Sequence, residues 1–410
     1  MSIGNIMVGQ SGGPTSVINA SLAGVFKAAR DLGAKHVYGM RNGVEGLLEG
    51  RCVDMLEHVK TDADIEILKR TPASYLGTCR FKLGDPAEKE ADYAKIFAQL
   101  KKLDVKSYFY IGGNDSMDSI NKMSGYAAAN GVDMRFMGIP KTIDNDLVIT
   151  DHTPGFGSAS KYIASTFKEL IRDAAAFNEK TVLVVEIMGR NAGWLTAASI
   201  LAAGEDNEGP DMILLPETPL CEASFIKAVG EKLKEKNTLF IAVSEGVKCL
   251  DGEYLSSRGG ASVTRDAFGH VALSGAGHNL KELIKRELGI KRIRSIEFSA
   301  IQRCAAHISS RTDVEEAFLA GQHGARCAAD GMTSKMVVFK RLADEPYAMA
   351  LDTAPVSEIA NAEKVVPAEW IDAANYFVRK EFVTYALPLI QGELPPLMIN
   401  GVPRHLVLKK

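Results

Sequence analysis

The sequence predicts an α/β protein whose strands pair mainly in parallel and whose length is divided between two domains. Short apolar runs alternate with amphipathic stretches through most of the chain, the pattern of strand–helix–strand units around a parallel sheet. The 410 residues exceed what one hydrophobic core usually organises. The pattern also restarts after His152-Thr153-Pro154-Gly155, which puts an internal boundary just beyond Asn145-Asp146.

Taken in order, strands are expected at Asn5–Val8, Ser107–Ile111, Arg135–Gly138, Val182–Ile187, Met212–Leu215, Leu239–Val243, Ile293–Phe298 and Lys335–Phe339. Helices are expected over 17–32, 86–103, 116–130, 158–177, 193–203, 223–235, 278–287 and 313–329. Asp85 before Pro86 suits an N-cap followed by proline at the first helical position, and Gly33 after Leu32 suits a helix stop. The segment 340–410, whose prolines include those at 355, 367, 388, 395, 396 and 403, reads as irregular decoration.

Composition narrows the class. Lys plus Arg total 48 and Asp plus Glu 51, a net charge of −3, so charge gives no support to a nucleic-acid partner. The six cysteines, at 52, 79, 221, 249, 304 and 327, contain no C-x-x-C pair and fit free thiols in a reducing compartment. No apolar run approaches the ~18 residues of a membrane span. The N-terminus lacks the basic and apolar regions of a signal peptide. A cytoplasmic protein without a membrane partner is expected.

Four turns carry candidate chemistry. Ser11-Gly12-Gly13-Pro14-Thr15-Ser16 follows the first strand, and its glycines let backbone N–H groups approach a ligand beside a helix N-terminus. Alone it stands equally for a tight turn or a phosphate cradle. Neither a P-loop nor a complete G-x-G-x-x-G occurs in the chain. Gly112-Gly113-Asn114-Asp115-Ser116 repeats the arrangement after another strand, with a polar pair that caps a helix or holds Mg²⁺ through oxygen. Two such turns would lie side by side at the carboxyl edge of one sheet, where ligands collect.

Pro140-Lys141-Thr142-Ile143-Asp144-Asn145-Asp146-Leu147 sets two carboxylates beside a lysine. Phosphoryl transfer to an alcohol needs a base, a metal bridging phosphate oxygens and cations for the transferring charge. This octapeptide offers a base, a cation and help with the metal; a solvated loop is the plainer alternative. Met188-Gly189-Arg190 places an arginine at a turn, and Ser244-Glu245-Gly246 a carboxylate at a strand end. Arg294 and Arg303 could grip a sugar phosphate, though each also reads as a surface charge.

In this order the motifs resemble the phosphofructokinase family over roughly residues 3–340, with T-I-D-N-D and M-G-R the most specific elements. The resemblance implies two Rossmann-like domains with the active site in the cleft between them. Residues 1–155 plus about 303–360 would form the larger, donor-side domain, and 156–302 plus 361–410 the smaller, sugar-phosphate side. It implies Asp144 as the base for the sugar 1-hydroxyl. Thr142, Ile143, Met188, Gly189, Arg190 and Glu245 would contact fructose 6-phosphate. Arg294 and Arg303 would grip the 6-phosphate and the transferring group, and Gly12, Gly13 and Arg80 the donor. Asn114 and Asp146 would hold Mg²⁺, and a homodimer or homotetramer is implied.

Two positions bear on the donor. ATP-using members usually carry glycines where this chain has Asp115 and Lys141, and the Asp–Lys pairing is similar to the pyrophosphate-dependent branch. A carboxylate at 115 opposes a nucleotide α-phosphate, and at an effective dielectric near 20 a like-charge contact at 4 Å costs about 4 kcal/mol. Lys141 can hold the terminal phosphate of a donor that lacks adenosine. Asn114 stands where many members carry an aspartate. The expectation is therefore reversible, Mg²⁺-dependent transfer from pyrophosphate to fructose 6-phosphate. The rivals are an ATP-dependent phosphofructokinase, an NAD-kinase-like enzyme and a non-catalytic sensing subunit.

Overall fold

The structure is a computed structural model and describes residues 3–79, 81–176, 179–259 and 273–408. The strands of its two main sheets are β1 (Asn5–Gln10), β2 (Val37–Met40), β3 (Cys52–Asp54), β4 (Val105–Gly112), β5 (Arg135–Pro140), β6 (Thr181–Ile187), β7 (Met212–Leu214), β8 (Thr238–Ser244), β9 (Arg292–Glu297), β10 (Lys335–Asp344) and β11 (Tyr347–Pro355). Seven form one sheet in the order β11-β10-β5-β4-β1-β2-β3, and four form the other as β7-β8-β6-β9. All pairings are parallel except the two edges, β11 on β10 and β3 on β2.

The central strands are apolar runs because both of their faces are covered. Along β4, Phe109 and Ile111 enter one core while Tyr108 and Tyr110 enter the core on the opposite face. In β6, Leu183 and Val185 face one way and Val182 and Val184 the other. That is the period-2 alternation of a pleated strand. Truncating a ring such as Phe109, which is fully buried, costs about 3–5 kcal/mol.

Every expected strand appears within a few residues of its expected bounds. β2 and β3 were not anticipated, because three- and four-residue strands leave too short a pattern. Asp85-Pro86 opens a turn, with Asp85 Oδ1 accepting from Ala87 N–H at 2.9 Å, and the helix begins only at Glu90. The expected 193–203 helix is one α-turn, Trp194–Ala197, continued as 3₁₀. The largest correction is 340–410, which is not decoration. β11 extends the larger sheet, and the helix Lys380–Ala386 sends Phe382 and Tyr385 into the core beneath the smaller one. All six cysteines are free thiols. Among the described residues no helix is long and apolar enough to cross a membrane.

Candidate active site

The parallel order brings the carboxyl ends of β1, β4 and β5 side by side, so their three turns share one edge. Backbone bonds fix them together: Ser11 N–H donates to Ile111 O at 2.9 Å, and Lys141 N–H to Gly112 O at 3.1 Å. The turns after β6 and β8 face them across a cavity of about 670 Å³. Gly12, Gly13, Asn114, Asp115, Lys141, Thr142, Ile143, Asp144, Asp146, Met188, Arg190, Glu245 and Arg303 all line it.

The first turn is built for close approach. Gly12 adopts φ +74°, and a Cβ there would sit 3.2 Å from Lys141 Nζ; at Gly13 it would sit 3.3 Å from an Arg303 guanidinium nitrogen. Two cations thus converge on backbone that a side chain would obstruct. Thr15 Oγ1 accepts from Ile18 N–H at 2.9 Å, satisfying one of the free donors that open the helix Ile18–Asp31.

The loop 141–146 is held from behind. Asn145 is fully buried in the left-handed region at φ 55°. Its Nδ2 donates to Tyr385 Oη at 2.8 Å, and its Oδ1 accepts from Thr153 N–H at 3.0 Å. The residues on either side, Asp144 and Asp146, line the cavity. Lys141 Nζ donates to Gly13 O at 2.9 Å. Burial pulls the Lys141 ammonium down to about 8, against the charges of Asp144 and Asp146. Burial pushes Asp144 up, against Lys141 and Arg190. Burial and the Asp144 charge push Asp146 up to about 7. A carboxylate so raised is a competent proton acceptor near neutral pH.

On the opposite wall Gly189 has φ +143°, and a Cβ there would meet Ala192 O at 2.7 Å. Its N–H donates to Glu245 Oε1 at 3.3 Å, so the M-G-R turn and the end of β8 form one surface. Burial pushes the Glu245 carboxyl up to about 7.

Three expected residues fall elsewhere or differ. Arg294 lies outside the cavity: it stands mid-strand on the edge strand β9, more than half exposed, 3.8 Å from Asp173. Arg80 is outside the described residues. Asn114, expected at a metal, engages both ends of its amide with the backbone: Nδ2 donates to Ala362 O at 2.6 Å and Oδ1 accepts from Asn361 N–H. Sequence reasoning missed Asn191, Asn361 and Glu363, which also line the cavity. Asn191 sits directly after Met188-Gly189-Arg190 and could have been found there; nothing local marks the other two.

Among the described residues no three His, Cys, Asp or Glu side chains converge to hold an ion on their own. Mg²⁺ usually takes one or two carboxylates and completes its shell with water and substrate phosphates. Asp146 fits that need, because its Oδ1 is buried without a hydrogen-bond partner.

The family model described as Phosphofructokinase matches residues 5–314. The pyrophosphate–fructose 6-phosphate 1-phosphotransferase of Halomonas elongata is 38% identical over 410 residues, covering 99% of this chain and 96% of that protein. The protein of the same name from Methylococcus capsulatus is 38% identical over 413 residues, covering 100% and 96%. The crystal structure of a pyrophosphate-dependent phosphofructokinase from Nitrosospira multiformis superposes with a TM-score of 0.88 at 34% identity, covering 99% of this chain and 98% of that one.

Proposed function

Because this chain belongs to the phosphofructokinase family, we infer that it is an enzyme that transfers a phosphoryl group from pyrophosphate to the 1-hydroxyl of fructose 6-phosphate. The observation that carries the site assignment is Lys141 reaching into the first glycine turn, 2.9 Å from Gly13 O, on the loop that presents Asp144 to the same cavity.

In this reading the donor lies against Gly12 and Gly13, with Lys141 and Arg303 neutralising its phosphates. Asp115 closes the donor end against a nucleotide. Fructose 6-phosphate lies on the opposite wall, held by Arg190, Glu245, Met188, Gly189, Thr142 and Ile143. Asp144 accepts the proton of the 1-hydroxyl as its oxygen attacks the near phosphorus of pyrophosphate. The P–O bond to the bridging oxygen breaks and phosphate leaves. Asp146 would hold Mg²⁺, which would supply charge neutralisation for phosphoryl transfer.

The resemblance also assigns Arg80 to the donor and Arg294 to the 6-phosphate. Since Arg294 lies outside this cavity, the grip on the 6-phosphate within the chain falls to Arg190. We place the donor on the half built from 1–155 and about 303–360 and the sugar phosphate on the other, with 361–364 touching both. A cytoplasmic location accords with the reaction.

The test is a donor comparison with fructose 6-phosphate and Mg²⁺. Turnover with pyrophosphate well above that with ATP is expected, lost on chelation. Fructose 1,6-bisphosphate with phosphate should return pyrophosphate, since the two sides lie close in free energy. A preference for ATP would overturn the donor assignment.

A further inference from the structure

We propose that Glu363 positions the metal–diphosphate end of the cavity by holding the water shell of the ion, and that Asn114 is the clamp that brings it there. The proposal rests on the pyrophosphate and Mg²⁺ reading above and adds a residue to it.

Glu363 comes from a strap that sequence gave no reason to place near the site. The strap is fixed on both sides of residue 363. Before it, the Asn114 amide grips Asn361 N–H and Ala362 O, and Asn361 Nδ2 donates to Asp118 Oδ1 at 3.3 Å. After it, Lys364 N–H donates to Asp146 O at 2.7 Å, and Lys364 Nζ donates to the carbonyls of Thr150 and Asp151 at 3.1 and 2.7 Å. An amide at 114 can donate and accept at once, whereas an ionised aspartate accepts only. The asparagine is therefore explained by the strap.

Held this way, Glu363 lines the cavity together with Asp144 and Asp146. Asn191 Nδ2 lies 2.9 and 3.1 Å from its two carboxylate oxygens, which orients the group and leaves further lone pairs to accept. Together the three carboxyl groups concentrate negative charge on the cavity lining. The buried, unpartnered Asp146 Oδ1 is a second sign of a cation at this end. Mg²⁺ retains several waters when bound, and the Glu363 carboxylate would accept from them. A carboxylate that orients bound water acts as the outer partner of a metal site.

The experiment measures Mn²⁺ affinity by the loss of its free electron-paramagnetic-resonance signal, in the full-length protein with imidodiphosphate as a non-transferable donor. Glu363→Gln keeps an oxygen for Asn191 and removes the charge. It should weaken Mn²⁺ at least ~10-fold, the usual effect of losing an outer partner, with fructose 6-phosphate affinity within about twofold of wild type. Asn114→Asp should also weaken Mn²⁺, by releasing the strap, and lower the melting temperature as well. If Glu363→Gln does not fold, Glu363→Asp, which keeps the charge on a shorter arm, should show an intermediate loss. Mn²⁺ affinity within twofold of wild type in the folded Glu363 variant overturns the proposal. Wild-type turnover with pyrophosphate is measured in parallel. If it is present while Glu363→Gln binds Mn²⁺ normally, this inference alone fails; if it is absent, the donor reading fails too.

Discussion

Lys141 Nζ lies 2.9 Å from the carbonyl oxygen of Gly13, a hydrogen bond between residues 128 positions apart. It places the cation of the T-I-D-N-D loop inside the first glycine turn. The contact exists because β1, β4 and β5 are consecutive in the sheet, so turns far apart in sequence share one edge. It also makes the first glycine turn and the 141–146 loop one unit.

Asp144→Asn keeps the shape of the loop and removes its basicity. A fall in kcat of about 10²–10⁴ is expected, with a smaller change in KM. Retention of more than about a third of wild-type kcat would rule Asp144 out as the base.

Arg190→Ala removes a charged donor from the wall opposite Lys141. A hydrogen bond to a charged group contributes roughly 1.5–3 kcal/mol. Fructose 6-phosphate should bind roughly 10–100-fold more weakly, while pyrophosphate changes little. Equal losses for both substrates would place Arg190 elsewhere in the reaction.

Donor choice is assigned to Asp115 and Lys141, which line the same cavity. Asp115 is half exposed and 3.9 Å from Lys82 Nζ, so that cation offsets its charge only in part, as exposed pairs are weak. Asp115→Gly should raise kcat/KM for Mg-ATP and lower it for Mg-pyrophosphate, and Lys141→Gly should mainly damage pyrophosphate use. Effects of residues that act on one ligand couple rather than add, so the double variant is the deciding measurement. An unchanged donor ratio in Asp115→Gly would remove the assignment.

The pH profile follows from the same loop. Below about 7, Asp146 becomes neutral and loses its hold on a cation; burial also raises Asp144, whose protonation adds to the acid limb by removing the base. Above about 8, Lys141 loses its charge and with it the donor's terminal phosphate. Because kcat/KM reports the free enzyme, it should peak between these limits. Lys141→Arg, whose guanidinium stays charged, should move the alkaline limb upward. An unmoved limb would show that another group titrates there.

A second pH effect concerns stability. His152 is buried with Nδ1 2.8 Å from Asp151 and Nε2 2.6 Å from Glu316. Burial opposes its charge, but the two carboxylates outweigh it and raise the imidazolium to about 9. A folded value above the unfolded ~6.5 gives stability that is complete below about 6.5 and is lost as pH rises through 9. His152→Gln should therefore cost most near pH 6, on the order of 3 kcal/mol, and progressively less toward pH 9. A penalty independent of pH in urea unfolding would mean that the ring is neutral in the fold.

The sequence by itself determined what short spacings encode. Strand–glycine–helix junctions at Gly12, Gly113 and Gly189, the paired carboxylates of 144–146 and the parallel α/β class are all local, because side-chain alternation and turn chemistry act within a few residues. The tertiary structure alone decided the rest. It brought the Lys141 amine to Gly13, set Asn145 on Tyr385 240 residues away, kept Arg294 on an outer strand and laid Glu363 across the cavity from a stretch whose prolines and lack of periodicity read as irregular. Such contacts depend on strand order and on which faces are covered, and neither quantity is written in the spacing of neighbouring residues.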